Sequence, residues 1–577
     1  MLSLVDIRQW KPADLDRAFA ALGTHRDTLV TLDDDLARAR HPAGWTGAAA
    51  EAAVADFDRV VERMRRIVAG VAGVRRAVGD TADAVIEIQR ALAEAEGLAW
   101  RHGFAVGPDA EVIDVAPPEV PADQVEAVAR ERATVRDEVT GLLTQVLRRA
   151  TEIDTELTAV LHAAARFEIE NGTTTTLAGA AAAGAAAGEL SEMRPPQDGT
   201  PQQVASWWAA LSESERAILT ASRPDLLGNL GGIPAQVRDE ANRAQLPEQR
   251  AALQDQATQL QAAAYGDDRA AAAQLGQVHD KLRALDAIDD TLARGDRQLL
   301  LLDTSGQRVK AAVAIGNVDT ADHVAVFTPG FTSTVEGSLA GYDDQMRQLQ
   351  RQAENESRSF GDGGSVAAVT WIGYEAPQWG EIADPGRSVL GESQARTGGA
   401  ALGGFLDGID AAHPDDPHLT AIGHSYGSTT TGHAVQQTGG VDDVIFFGSP
   451  GIGTSDIRDL HVAEGHAYVV EARNDPVADL GRFGDDPNQL DGLTDLSSSA
   501  ARTPDGRELT EVTGHSNYLA PDSTSQHNMS VVVAGVGDRA IDGENTGRGD
   551  HAREFLDDAG GVIGDAVRKA RDIVPGS

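Results

Sequence analysis

Between Ala52 and Ala99 apolar residues fall at Val54, Phe57, Val61, Met64, Val68, Val71, Val78, Val85, Ile88, Leu92 and Ala95. Steps of three, four or their sum predict one long helix with a single apolar seam. An earlier segment repeats the pattern at Leu15, Phe19, Leu22, Leu29, Leu32 and Leu36, and a later one at Val125, Val128, Val135, Val139, Leu142, Val146, Ile153 and Leu157. Each seam needs a partner in order to leave water. The first two segments are joined by HPAGWTG, in which Pro42 and Gly44 stop one helix and Thr46 can cap the next, so an antiparallel hairpin is expected. Residues 1–170 thus read as an all-α, long-helix hairpin or bundle.

The stretch 171–202 (NGTTTTLAGAAAAGAAAGELSEMRPPQDGTPQ) has a Thr run, an Ala/Gly tract and a Pro pair but no amphipathic period, and it reads as a linker at a domain boundary. Residues 203–296 read as a helical lead-in, with Trp207, Trp208, Leu211 and Ile218 at helical spacing as core. After residue 297 the period changes. QLLLLD and VKAAVAIG around TSGQ predict a β-hairpin. HVAVFTPG, SVAAVTWIG, HLTAIGHS, DVIFFGSPG and AYVVEARND follow as short apolar runs, the first three separated by helix-compatible stretches. Strands buried on both faces and alternating with helices predict a mostly parallel α/β sheet, with helices on both faces, over 297–577. HAREFLDDAGGVIGDAVRKARDI near the C-terminus reads as one more helix.

At 577 residues the chain is long enough for several domains, and 41% hydrophobic content supplies real cores. Lys+Arg 49 against Asp+Glu 89 leaves a net charge of −40, which repels phosphate backbones and disfavours nucleic acid as a partner. Only Lys11, Lys281, Lys310 and Lys569 are lysines, so part of the acidity reflects arginine-biased composition rather than any particular ligand. With no cysteine, thiol nucleophiles, thiolate metal sites and disulfides are excluded. No basic-then-apolar leader opens the sequence and no apolar run reaches the length of a membrane span. The expected location is cytoplasmic, or exported without a conventional signal peptide.

The chemistry concentrates in HLTAIGHSYGS. Gly423-His424-Ser425-Tyr426-Gly427 sits where an apolar strand gives way to a helix, a turn so tight that the residues flanking the serine must be small. Held there, the Ser425 hydroxyl projects above the sheet as a nucleophile. It needs an imidazole to take its proton and a carboxylate to fix that imidazole's tautomer. In the chain order serine, acid, histidine, Asp475 follows the AYVVEARND strand and His515 follows ELTEVTG. Asp479, one helical turn later, is the alternative acid, and His527 is the strongest rival base, although it lies within the helix-like SQHNMSVVVAGV. His424, His433, His461 and His466 compete less well: the first would point away from the serine, and the others lie on the following helix or before the acid strand.

A developing oxyanion needs two backbone N–H donors. Tyr426, after the nucleophile, is one. Pro329-Gly330-Phe331-Thr332, after an early strand, offers the Phe331 N–H as the other, with Gly330 and Thr332 its neighbours. Tyr374 and Pro377 follow a strand on the same edge, as pocket lining or packing. The chain has no phosphate-binding Gly-x-x-x-x-Gly-Lys, no His-Glu-x-x-His and no complete calcium loop, so no cofactor and no metal are expected.

Two resemblances follow from these residues. Trp45-Thr46-Gly47 between two helices resembles the Trp-x-Gly hairpin proteins exported by type VII secretion systems, over about the first 100 residues. That likeness implies a helical or secretion-system partner. The family's Tyr-x-x-x-Asp/Glu signal is absent after the second helix, the first tyrosine being Tyr265. Residues 200–540 resemble an actinobacterial α/β-hydrolase family, through Gly232-Ile233-Pro234, Pro329-Gly330, Trp371-Ile372-Gly373-Tyr374 and the Ser425 elbow. That likeness implies a serine hydrolase and narrows the reaction class only. The expected substrate is a small-molecule or lipid ester, with amides and thioesters open to the same machinery.

Overall fold

The computed structural model describes residues 2–32, 36, 38, 46–117, 125–190, 195–196, 199–211, 213–264, 268–478 and 481–543. The expected C-terminal helix, Trp45, Tyr265 and Asp479 lie outside them. The chain divides into two compact units, 1–219 and 220–577. No helix among the described residues is long and apolar enough to cross a membrane.

The first unit opens with α1 (Leu4–Gln9), started by a reciprocal Ser3/Asp6 capping box, and α2 (Pro12–Val30), which begins on a proline. The 54-residue α3 (Ala48–Arg101) is the spine. α1 and α2 run antiparallel to it: Gln89 Nε2 donates to the carbonyls of Ile7 and Trp10, Phe19 lies against Gly79 under the Arg75 guanidinium, and Leu29 reaches the cluster of Val68 and Ala72. A short hairpin, β1 (Phe104–Val106) with β2 (Val112–Asp114), leads to α4 (Val125–Ala165). Its Val139, Leu143, Val146, Ala150 and Ile153 pack with Ile88, Leu92, Ala95 and the fully buried Leu4 and Ile7.

The 171–202 stretch is not a plain linker. Leu177–Ala187 forms α5, capped by Thr176 and packed on α3. A Cβ on Gly184 would strike the Ala69 backbone, so the two helices cross almost backbone to backbone. Such a contact needs small residues on the facing side and no long apolar seam, which is why an Ala/Gly tract without amphipathic period can be helix rather than spacer. α6 (Pro201–Ala209) and the start of α7 (Glu213–Ser222) also belong to this unit, so the division falls inside the expected 203–296 lead-in. Trp207 and Trp208 are buried as expected, whereas Ile218 is exposed.

The second unit begins with α8 (Pro224–Leu227), α9 (Ala235–Ala264) and α10 (Arg269–Leu292). These precede the antiparallel pair β3 (Arg297–Asp303) and β4 (Lys310–Ile315). Then come β5 (His323–Thr328), α11 (Val335–Phe360), β6 (Val366–Ile372), α12 (Ser393–Ala412), β7 (His418–His424), α13 (Tyr426–Val435), β8 (Asp443–Phe447), β9 (Ala467–Val470) and β10 (Thr494–Leu496). The eight strands are ordered β10-β9-β8-β7-β5-β6-β4-β3, and every pairing from β6 to β10 is parallel. A small hairpin, β11 (Ala501–Arg502) with β12 (Glu508–Leu509), and α14 (Thr524–Val533) complete the described fold.

Strand residues alternate between two cores. Val324 and Val326 join Trp371, Phe405 and Leu402 on the α12/α13 face, while Ala325 and Phe327 join Met346, Leu349 and Met529 on the α11/α14 face. The chain leaves β5 for β6 on one side and returns to β7 on the other. The carboxyl ends of β5 and β7 therefore flank the topological switch point, where open α/β sheets leave a crevice.

Candidate functional site

Ser425 stands at that switch point, immediately after β7 and as the N-terminal cap of α13. Its φ of 55° is unusual for a residue with a side chain, a conformation surrounding structure must hold in place. The amide of Ser425 donates to Phe447 O at the end of β8 (3.1 Å). A Cβ on Gly427 would run into the Thr328 and Pro329 carbonyls, which is why only glycine fits after Tyr426.

Three strand exits and one loop converge on the serine. His515 Nε2 lies 2.9 Å from Ser425 Oγ, and His515 Nδ1 lies 2.9 and 3.0 Å from the two Asp475 carboxylate oxygens. A carboxylate can only accept, so Nδ1 carries the proton and Nε2 of the neutral ring accepts from the serine hydroxyl. Asp475 is 2% exposed. Burial alone would push its pKa up. The bonds from His515, the Tyr518 hydroxyl (2.6 Å) and the Val477 amide (2.9 Å) outweigh that and hold it below the usual carboxylate range.

His424 does not turn away from the site. Its ring packs on Phe447 (4.7 Å) and on His515 (4.8 Å), and its Nε2–H donates to the His515 carbonyl (2.9 Å). Burial, with the neighbouring imidazole, pushes its pKa down to about 4, so this ring is neutral at ordinary pH. Three of the rival histidines face partners away from the serine, and the backbone amide of the fourth, His461, donates to Val435 O at the end of α13. His433 faces Glu392, His466 pairs with Asp443 at the start of β8, and the buried His527 faces Glu356 across from Arg507.

The Pro329–Thr332 loop lies directly over the elbow, since a Cβ on Gly330 would come within 2.8 Å of the Tyr426 amide nitrogen and 2.9 Å of Ser425 Cβ. That approach sets the Phe331 and Tyr426 backbones beside the serine. Tyr374 and Pro377 serve this loop: the Tyr374 hydroxyl donates to Pro329 O (2.8 Å), and Thr332 N donates to Pro377 O (2.9 Å). The Phe331 ring meets Trp379 edge to face at 4.7 Å, and Trp379 is 60% exposed. Gly232-Ile233-Pro234 is structural, with Ile233 buried and Gly232 N donating to Gly408 O of α12. Among the described residues no group of acidic or imidazole side chains could hold a metal ion.

Sequence reasoning missed Tyr518 and Gly448. Both act through three-dimensional convergence, and neither carries a motif. Gly448, at φ 55°, forms the floor under the His515–Asp475 pair: a Cβ there would lie 3.0 Å from Asp475 Oδ2, 3.1 Å from Tyr518 Cε2 and 3.2 Å from His515 Nδ1.

Residues 304–485 match the family described as α/β hydrolase. An uncharacterized protein of Mycobacterium tuberculosis strain H37Rv is 30% identical over 388 residues, 61% of this chain and 58% of the relative, so the chain spans little more than half of that protein. A shorter uncharacterized protein of Mycobacterium bovis is 36% identical over 238 residues, 39% of this chain and 86% of the relative. The esterase domain of a Rhodothermus marinus protein aligns over 42% of this chain and 99% of its own at 14% identity, with a TM-score of 0.23, a likeness too slight to bear on the reaction. With 86% of the shorter relative covered at 36% identity, the chain belongs to this α/β-hydrolase family through the domain that spans residues 304–485.

Proposed function

We propose that this protein is a serine hydrolase that cleaves carboxylic esters through an acyl-enzyme on Ser425. Neutral His515 takes the Oγ proton at Nε2 as the oxygen attacks the carbonyl carbon, and ionised Asp475 stabilises the resulting imidazolium through Nδ1–H. The carbonyl oxygen becomes an oxyanion that the Tyr426 and Phe331 amides receive. Collapse of the tetrahedral intermediate expels the alcohol, which leaves with the proton from Nε2. A water then repeats the sequence on the acyl-enzyme, releasing the acid and restoring the serine. Amides and thioesters are open to the same steps. No step calls on a cofactor.

The observation that carries this reading is the unbroken hydrogen-bonded array from Ser425 Oγ through His515 to Asp475, with its serine at a strained strand-to-helix turn. The exposed indole of Trp379 against Phe331 supports an apolar group on the ester, either a small molecule or a lipid. A fluorophosphonate probe followed by peptide mapping tests the reading. Labelling at Ser425 that disappears in Ser425→Ala is expected, and a folded protein that stays unlabelled there overturns it.

For the first unit the antiparallel seating of α2 on α3 favours a second role beside the first, as an export or interaction module with a helical or secretion-system partner. Co-purification of residues 1–219 with a type VII secretion component tests this role. A stable monomer that retains no such component counts against it.

A further inference from the structure

Tyr518 lies three residues after His515 on the same loop, and its ring is 1% exposed, packed on Phe447 (5.2 Å) and near His424 (6.1 Å). Its hydroxyl oxygen accepts from the Ala472 amide (2.9 Å). Its one proton is therefore free to go to Asp475 Oδ2, 2.6 Å away. Burial and the adjacent carboxylate charge push the phenol's pKa up, so it remains a neutral donor. On the other side Asp475 Oδ1 accepts from the Val477 and Ala478 amides (2.9 and 3.3 Å). The charge that acts on His515 is thus already shared with three other donors, and only one of these is a side chain.

We propose that Tyr518 is a positioning residue of the site, whose hydroxyl ties the base-bearing loop to the acid-bearing loop and, by drawing on the Asp475 charge, sets the basicity of His515. The proposal rests on the serine-hydrolase reading above. A donor on an ionised carboxylate lowers that carboxylate's hold on any other proton. Without the Tyr518 hydroxyl, Asp475 would favour the imidazolium more strongly, and His515 would keep its proton to higher pH. Because only the neutral imidazole can accept the serine proton, the change appears in the acid limb of the reaction.

The test is the second-order rate of Ser425 labelling by a fluorophosphonate, measured on the full chain from pH 5 to 9, which needs no knowledge of the natural ester. Tyr518→Phe keeps the ring and removes the hydroxyl. The acid-limb midpoint should move up by roughly 0.5–1 pH unit, with a several-fold lower plateau. Replacing Tyr518 by 3,5-difluorotyrosine keeps the shape and strengthens the donor, so the midpoint should move down. This second variant decides the matter if the first does not fold. Midpoints equal to the wild type in the folded variants, or shifts in the same direction in both, overturn the proposal even if the plateau falls. A wild type that is not labelled at Ser425 overturns the serine-hydrolase reading itself, and this proposal with it.

Discussion

The Nε2 of His424 lies 2.9 Å from the carbonyl oxygen of His515, and the two ring centroids are 4.8 Å apart with the planes tilted by 31°. The residue before the nucleophile therefore supports the base from behind, and it does so as a neutral donor. Protonating His424 would place a second cation in this pair of rings, against the ring that must itself become positive during turnover.

This arrangement has a pH signature. An unfolded histidine takes up a proton near pH 6.5, whereas folded His424 resists until about 4. Between those values the unfolded state binds more protons, so stability rises with pH, by about 3 kcal/mol across the window. His418, which Asp443 raises against the cost of burial, works in the opposite sense: it adds stability below pH 6.5 that is lost as pH rises through its folded value. His424→Gln, which can still donate to the His515 carbonyl, should flatten the fall in stability between pH 6.5 and 4 in denaturant titrations. An unchanged slope would mean that His424 is already charged in the folded protein.

Asp475 and Asp479 separate by substitution. Asp475→Asn leaves a donor where His515 needs an acceptor, and wrong-tautomer changes of this kind lower turnover by about 10⁴. Ser425 labelling should therefore nearly vanish while circular dichroism stays native. Asp479→Asn should have little effect. The opposite ranking would move the acid role to Asp479.

Gly448 offers a steric test of the same geometry. Gly448→Ala would press a methyl group against Asp475, Tyr518 and His515 at once, in a left-handed conformation that costs a residue with a Cβ roughly 1–2 kcal/mol. A labelling rate at least about ten-fold lower is expected, with a modest drop in melting temperature. Gly439, which has nothing within 4 Å of the same added atom, is the control, and Gly439→Ala should label at the wild-type rate.

How far the sequence carries depends on whether a feature is local. The Ser425 elbow is one strand, one turn and one helix, so small residues at 423 and 427 suffice to reveal it. The β3–β4 hairpin and the buried β5 and β7 are equally local. The α3–α5 crossing is not, because its only trace is an Ala/Gly tract, and small residues read alike in a spacer and in a tight helix contact. The three-residue β10 falls below the length at which alternation can be seen. Tyr518 is further from view still: nothing in His515-Ser-Asn-Tyr518 says that a phenol three residues on will fold back onto an acid some forty residues upstream.

The last prediction concerns the division of the chain. All three hydrophobic clusters around the large sheet, the residues from Ser425 to Tyr518 and the Pro329–Thr332 loop belong to the unit beginning at Thr220. A unit of this size buries enough surface to hold its own core. A fragment from residue 223, just before α8, should therefore fold cooperatively and label at Ser425 within a few-fold of the full-length rate. Limited proteolysis of the whole protein should spare 177–187, since α5 is capped and packed on α3, and this contrasts with the cleavage a bare Ala/Gly spacer would suffer. A fragment that folds but no longer reacts with the probe, where the full chain does, would show that residues 1–219 complete the site, and the helical half would then be part of the enzyme rather than a module beside it.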